Sequence, residues 1–272
     1  MREVTPHVFL IGKTVPQKDE IRAWLDYVGA TDYVIEMDVT AGEQLVQLCG
    51  KRCYMSFQPG LNPNVTRIRT DMSEFIENIL KVGHGSVLEH ATYNFAIESV
   101  SRVFTAEMNR HRAGMAISEG SMRFIRFTDI PFWRPNSLRP HVSDSEAIIK
   151  KKNMSWEVFK VSIGHAEREY QMLVDIWGPE LSPLSKDFHM KKHITSMMRR
   201  IIPIGVATGG VWTGNLRALR HIFTMRCAPA AEEEILEVGC FLLEKMMQTE
   251  PTFFKDFVKD AEGFWRPQYQ KV

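Results

Sequence analysis

The chain has 272 residues, 44% of them apolar and 25% charged, with a formal net charge of +1. This length buries a full core, and the balance excludes disordered and fibrous classes. A near-zero net charge supplies no global field toward nucleic acid or a membrane surface, and four scattered cysteines (Cys49, Cys53, Cys227, Cys240) make no disulfide framework.

The first ten residues lack the basic flank and apolar run of a signal peptide. Helical patterns read at Lys18–Tyr27, Gly42–Cys53 and Met72–Val82, the last opened by Asp71 as N-cap. Gly83-His84-Gly85-Ser86 follows as a helix C-cap or a tight turn presenting polar groups. From Ala91 to Glu98, Tyr93, Phe95 and Ile97 alternate with Thr92, Asn94 and Ala96, which predicts a strand with one buried face. A helix is predicted from Val100 to Arg112, then a polar loop to Ser121, an extended Ile125–Ile130, and a connection punctuated by Pro131, Pro135 and Pro140. Glu146–Trp177 and Leu184–Ile201 are helical again. The run Ile201–Trp212 is too short and too broken by Pro203, Gly205, Gly209 and Gly210 to span a bilayer. Asn215–Cys227 and Ala231–Met247 close the pattern as two more helices. With no repeat and no linker, residues 1–272 read as a single α+β domain, mostly helical, expected to be soluble, cytoplasmic and kept reduced.

Two helices carry ionic residues where an apolar stripe belongs. At about 100° per residue, Val100, Val103, Phe104 and Met108 define the apolar side of the first. Glu107 and His111 fall inside that arc and Arg110 at its margin, while Arg102, Thr105 and Asn109 point away. In Asn215–Cys227 the apolar side is Leu216, Leu219, Ile222, Phe223 and Met225. Arg226 falls within it and Asn215 beside it, while Arg217, Arg220, Thr224 and Cys227 face away. A buried-face arginine costs several kcal/mol unless a partner compensates it. An internal pair of Glu107 with Arg110 or His111 accounts for Glu107 but not for Arg226. Solvated surface positions suit Arg126 and Arg220 and do not suit Arg226. Together with Arg112, Arg123, Arg199 and Arg200, the cluster suggests a pocket for more than one anionic small molecule. Gly205–Gly214 matches neither the Rossmann nor the Walker pattern, and no nucleophile elbow or metal helix is present.

Arg110-His111-Arg112, eight residues, then Ser121 resembles the motif of the flavin-dependent thymidylate synthases. Upstream, His84-Gly85-Ser86-Val87-Leu88-Glu89-His90 is similar to that family's His-x-Ser/Thr-x-x-Glu-His segment. Cys53-Tyr54-Met55-Ser56-Phe57, Ser121-Met122-Arg123-Phe124 and the stretch from Arg200 through Asn215-Leu216-Arg217 and His221 to Arg226 resemble its other motifs. The resemblance implies an α+β homotetramer with a small antiparallel sheet and sites shared between subunits. It implies that Ser56, His84, Ser86, Glu89, Arg110, His111, Arg112, Asn215, Arg217 and His221 surround FAD. Glu107, Glu119, Gly120, Ser121, Met122, Arg123 and Arg200 would then surround a pyrimidine nucleotide, dUMP or UMP, with Arg226 as the catalytic residue that orients and activates its uracil. No metal is implied.

The implied chemistry is reductive methylation at carbon 5, with methylenetetrahydrofolate as one-carbon donor and NADPH as reductant. Departures from the commoner pattern are Glu107 for Gln, Phe124 for Tyr, Ala116 for a frequent Ser, and one extra residue between Arg112 and Ser121. They touch the nucleotide wall and leave dUMP against UMP open. An RNA-binding protein using the Arg-His-Arg helix as a phosphate clamp is disfavoured by the near-neutral charge and the lack of a basic-aromatic stripe. A non-catalytic oligomer is disfavoured because it would leave Arg226 without a partner.

Overall fold

The computed structural model describes residues 1–36 and 38–272. Two strands, β1 (Arg2–Val4) and β2 (His7–Lys13), precede three helices, α1 (Lys18–Tyr27), α2 (Ala41–Tyr54) and α3 (Met72–Val82). A 3-10 turn at Gly85–His90 leads into β3 (Thr92–Ser101), α4 (Arg102–Met108), β4 (Met115–Glu119) and β5 (Pro131–Trp133). The long α5 (Glu146–Ile176), short α6 (Gly178–Leu181) and α7 (Phe188–Met198) return the chain to β6 (Ala207–Asn215) and α8 (Leu216–Arg226). The chain closes with α9 (Glu233–Thr249), α10 (Pro251–Phe254) and the hairpin β7 (Phe257–Lys259) and β8 (Trp265–Pro267). None of the described helices is long and apolar enough to cross a membrane.

Local chemistry explains the helix starts. Thr40 and Glu43 close a capping box at α2, and Asp71 accepts the Glu74 N–H at 2.7 Å to cap α3. Gly83, at φ 73°, ends α3 as a left-handed cap that a side chain would disfavour. The central sheet is antiparallel in the order β2-β3-β6-β4. Its register aligns Leu10, Phe95, Trp212 and Ile117 in one row across all four strands. That row lies on the face that packs against α2, α3, α8 and α9 to form the main core. The α+β class is thus as expected.

Several expectations fail, and most fail at the sheet. The strand predicted to stop at Glu98 runs on to Ser101, so Val100 and Ser101 belong to β3 and α4 is a single short helix. Thr105, placed outward by periodicity, is buried, and Met225, placed inward, is half exposed. The predicted loop before Ser121 is strand β4, and the glycine-rich 207–215 stretch is the inner strand β6. Glycines hid β6 because the pattern rewards side chains; here their absence lets strands approach. A Cβ on Gly210 would sit 2.5 Å from the Ser118 carbonyl, and one on Gly209 would collide with the Glu98 carboxylate. Ile125–Ile130 forms no strand, and the helix expected from Leu184 begins only at Phe188.

Candidate functional site

The site is built where α8 leaves β6. Asn215 ends the strand and caps the helix, its Oδ1 accepting the Ala218 N–H at 2.8 Å. Its own N–H donates to the Gly114 carbonyl at 3.1 Å, joining α8 to the loop that carries Arg110–Arg112. Gly114 has φ 70°, and a Cβ there would lie 2.5 Å from Asn215 Nδ2, so this loop tolerates only glycine. From the cap, α8 projects Arg217, then His221 one turn on, then Arg226 at its last turn.

Arg217 Nη1 donates to Glu89 Oε1 at 2.6 Å and its Nε to the Val272 carbonyl at 3.0 Å. Glu89, Gly114, Asn215, Arg217, Ala218 and His221 line a concavity of about 330 Å³. The His221 ring stands 6.0 Å from His111 in an edge-on arrangement. Beyond it, Arg226 Nε donates to His111 Nε2 at 2.9 Å, and Nη1 donates to Glu107 Oε2 at 2.6 Å. Burial pushes the His111 imidazole down to about 4, aided by the charges of Arg226 and Arg110 and by His221, so it is neutral at physiological pH. Across the same region, His84 stacks on Tyr54 at 5.9 Å and 24°, next to the left-handed Met55 and Ser56. Ser86, Arg110 and Arg112 are exposed at the surface of this region's loops.

Three expectations about charges need correction. Arg226 has a partner: Glu107 pairs with it across α4 and α8, and not with Arg110 or His111, which lie beyond the end of α4. The argument against a non-catalytic oligomer therefore loses its premise. Arg220, expected at the surface, is buried, and both its Nη atoms meet Asp256 at 2.8 and 2.9 Å. Cys227, expected off the apolar face, is fully buried, and its neighbour Cys240 and burial push its thiol up, away from nucleophilic use.

The expected nucleotide residues divide. Glu107 and Arg226 meet as described. Glu119, Gly120 and Met122 line a separate cavity of about 500 Å³ against Thr208, Gly209 and Gly210. Both Glu119 oxygens are already engaged, one by Arg102 and the other by Asn109 Nδ2 at 2.9 Å. Ser121 is half-buried, whereas Arg123 and Arg200 are exposed. Arg123 lies 5.8 Å from the Phe124 ring, which stacks on Phe188. Among the described residues no hydrogen bond or ion pair joins Ser121, Arg123 or Arg200 to the Arg226 cluster.

Residues that periodicity passed over hold this arrangement. Asn109 Oδ1 also accepts from Trp212 Nε1 at 3.0 Å, fastening α4 to β6. Ser101 caps α4 by accepting from Val103 and Phe104 N–H, while Glu234 accepts from the Ser101 N–H at 2.6 Å and from its hydroxyl. Glu234 comes from α9, far along the chain, so no local pattern could announce it. Asn109 stood next to the Arg-His-Arg motif, the one available signal.

The family model described as Thymidylate synthase complementing protein matches residues 35–252. The flavin-dependent thymidylate synthase of Mycobacteroides abscessus is 28% identical over 247 residues, covering 91% of this chain and 92% of that protein. A probable flavin-dependent thymidylate synthase of a Mycobacterium phage is 32% identical over 257 residues, covering 94% and 98%. Among solved structures, the UMP/dUMP methylase PolB from Streptomyces cacaoi, crystallised with 5-Br UMP, superposes with a TM-score of 0.63 at 16% identity, covering 94% of this chain and 95% of that one.

Proposed function

Because the chain belongs to the flavin-dependent thymidylate synthase family, we propose that it methylates carbon 5 of the uracil of dUMP reductively, with FAD as cofactor and methylenetetrahydrofolate and NADPH as co-substrates. The observation that carries this reading is the contact of two sites. A polar concavity around Glu89, Arg217, Asn215 and His221 abuts, through His111, an arginine held at the end of the same helix.

The residues suit a flavin nucleotide. Arg110, Arg112 and Arg217 offer guanidinium donors for its phosphates, and Gly114 lets the Arg110–Arg112 loop pack directly on the Asn215 cap. FAD bound there would supply the redox chemistry. The protein's own part is orientation and charge. Arg226 keeps its Nη2 group and one Nη1 hydrogen for carbonyl acceptors of a uracil and for the negative charge that develops on the ring. Neutral His111 does not compete as a second cation. Ser121 serves as a hydrogen-bond donor to the nucleotide and Arg123 and Arg200 as phosphate ligands. Since none of these three is joined to the Arg226 cluster by a hydrogen bond or ion pair among the described residues, we place them in a neighbouring subunit's site, in a homotetramer. The half-exposed Phe9 and Ile11 on the outer face of β2 are consistent with burial by another copy.

The same chemistry on UMP is favoured by one observation, the Glu107 carboxylate beside Arg226, which can accept from a 2′-hydroxyl. Glu119 is less free for that role, since each of its oxygens already accepts one hydrogen bond, whereas Glu107 Oε1 accepts none among the described residues. The deciding experiment is purification followed by competition. The protein should be yellow or take up FAD, and should methylate dUMP in preference to UMP with folate and NADPH present. Failure to bind FAD overturns the flavin reading, and equal or better turnover of UMP overturns the nucleotide preference alone.

A further inference from the structure

Arg226 Nε carries a single hydrogen and has no lone pair to offer, so in its contact with His111 it is the donor. His111 Nε2 must then present a lone pair, which leaves the imidazole neutral with its proton on Nδ1. A cationic ring would point a second N–H at the guanidinium. The two other charged or titratable groups facing the ring, His221 from α8 and the adjacent Arg110, also oppose its protonation. On the far side of the guanidinium, Glu107 from α4 takes one Nη1 hydrogen. Two acceptors on two elements therefore take the Nε hydrogen and one Nη1 hydrogen, and both Nη2 hydrogens are left to a ligand.

We propose that His111, as the neutral Nδ1–H tautomer, is a positioning residue for Arg226, fixing the rotation of its guanidinium about Cδ–Nε so that the Nη2 group meets the nucleotide. The inference rests on the reading of Arg226 as the uracil-binding arginine. A guanidinium held by Glu107 alone could swing about that single contact, and a nucleotide would have to order it. Held at two points, it meets the ring already oriented.

The test has two arms. In histidine-labelled protein, nitrogen-15 NMR should show His111 with protonated Nδ1 and bare Nε2 between pH 6 and 8, without flavin or nucleotide. An Nε2–H tautomer, or an imidazolium in this range, overturns the proposal whatever the enzyme does. In the second arm, His111→Gln places an amide oxygen near the Nε2 position and His111→Ala removes the acceptor. The alanine variant should weaken dUMP binding about tenfold or more, seen as a rise in KM larger than the fall in kcat, and the glutamine variant should recover most of the loss. FAD affinity, measured separately, reports any part His111 plays toward the flavin. Equal dUMP binding by wild type and His111→Ala overturns the proposal. Loss of FAD binding in wild type would instead overturn the flavin reading, and the tautomer measurement stands apart from it.

Discussion

Arg220 and Arg226 leave the same helix less than two turns apart, and each meets a carboxylate. Arg220 is sealed: its side chain and that of Asp256 are each 3% exposed, and the Phe253 and Tyr269 carbonyls take further hydrogens. Arg226 and Glu107 are 18% and 29% exposed, and the Nη2 group of the guanidinium has no partner among the described residues. The first pair ties α8 to the chain's C-terminal segment, and the one donor of Arg220 without a partner among the described residues, Nε, is buried out of a ligand's reach. The second is held firmly enough to be oriented and loosely enough to bind. Among the described residues both arginines keep an unpaired donor, so access to that donor, set by burial, separates the structural arginine from the functional one.

This contrast sets the largest expected effect. Asp256→Ala leaves a desolvated guanidinium without its counter-charge and should cost about 3–5 kcal/mol of stability, read from urea denaturation. Glu107→Ala should cost far less, since water can reach Arg226. Equal losses in the two variants would erase the distinction.

Periodicity ranked these two arginines in the wrong order, and the reason is physical. A helical wheel reports which side of a helix faces its own apolar stripe. It does not report that a segment from beyond α9 returns to cover the opposite side, as Phe253, Asp256 and Tyr269 do over Arg220. What was legible rested on local rules. Asp71 as a cap, Gly83 as a left-handed stop, and the alternation of Tyr93, Phe95 and Ile97 are all decided within a few residues. The strand β6 was illegible because its glycines serve close strand approach, a property of the partner strands. Motif resemblance reached further than periodicity: it grouped Glu89, Asn215, Arg217 and His221 before the fold showed them around one concavity.

The second effect in size falls on activity. Arg226→Ala should lower methylation by about 100-fold or more, the scale for removing one donor aimed at developing charge, while thermal unfolding shifts little. FAD uptake should persist, because Arg217 and the Asn215 cap remain. Near-normal turnover would move the uracil contact elsewhere. Loss of fold would make Arg226 a second Arg220.

A third prediction uses the buried carboxylate behind α4. Burial raises Glu234 to about 7, against the hydrogen bonds from Ser101. Its folded pKa therefore lies above its unfolded value, so its contribution is fully present below pH 4.5 and is lost as pH rises toward 7. The loss amounts to roughly 3 kcal/mol at about 1.4 kcal/mol per unit. Glu234→Gln imitates the protonated form in carrying no charge, and its oxygen can accept the Ser101 N–H. The stability difference between variant and wild type should thus grow in the variant's favour from pH 5 to pH 8. A pH-independent difference would show that Glu234 is not what titrates beneath the helix carrying Glu107.

The smallest effect belongs to a third arginine of α8, and it completes the series. Arg217 and Glu89 are 46% and 47% exposed, the open extreme of the three pairs. Exposed pairs contribute roughly 0.2–1 kcal/mol, because water screens both charges and long side chains lose entropy to meet. Glu89→Gln keeps an acceptor for Arg217 Nη1 and removes only the charge, so stability should change by about 0.5 kcal/mol or less. Its effect should surface in ligand binding instead. With the neighbouring negative charge gone, the concavity becomes more cationic, and FAD should bind somewhat more tightly at low ionic strength. The gain should shrink as salt is added, since both groups lie in water's reach. Titrating FAD against both proteins at two salt concentrations reads this directly. A stability loss above about 2 kcal/mol would mean that Glu89 holds the 3-10 turn at Gly85–His90 onto α8 as Asp256 holds the C-terminal segment. Weaker FAD binding at both salts would mean that Glu89 orients Arg217, or contacts the cofactor itself, and that its charge is not a brake on binding.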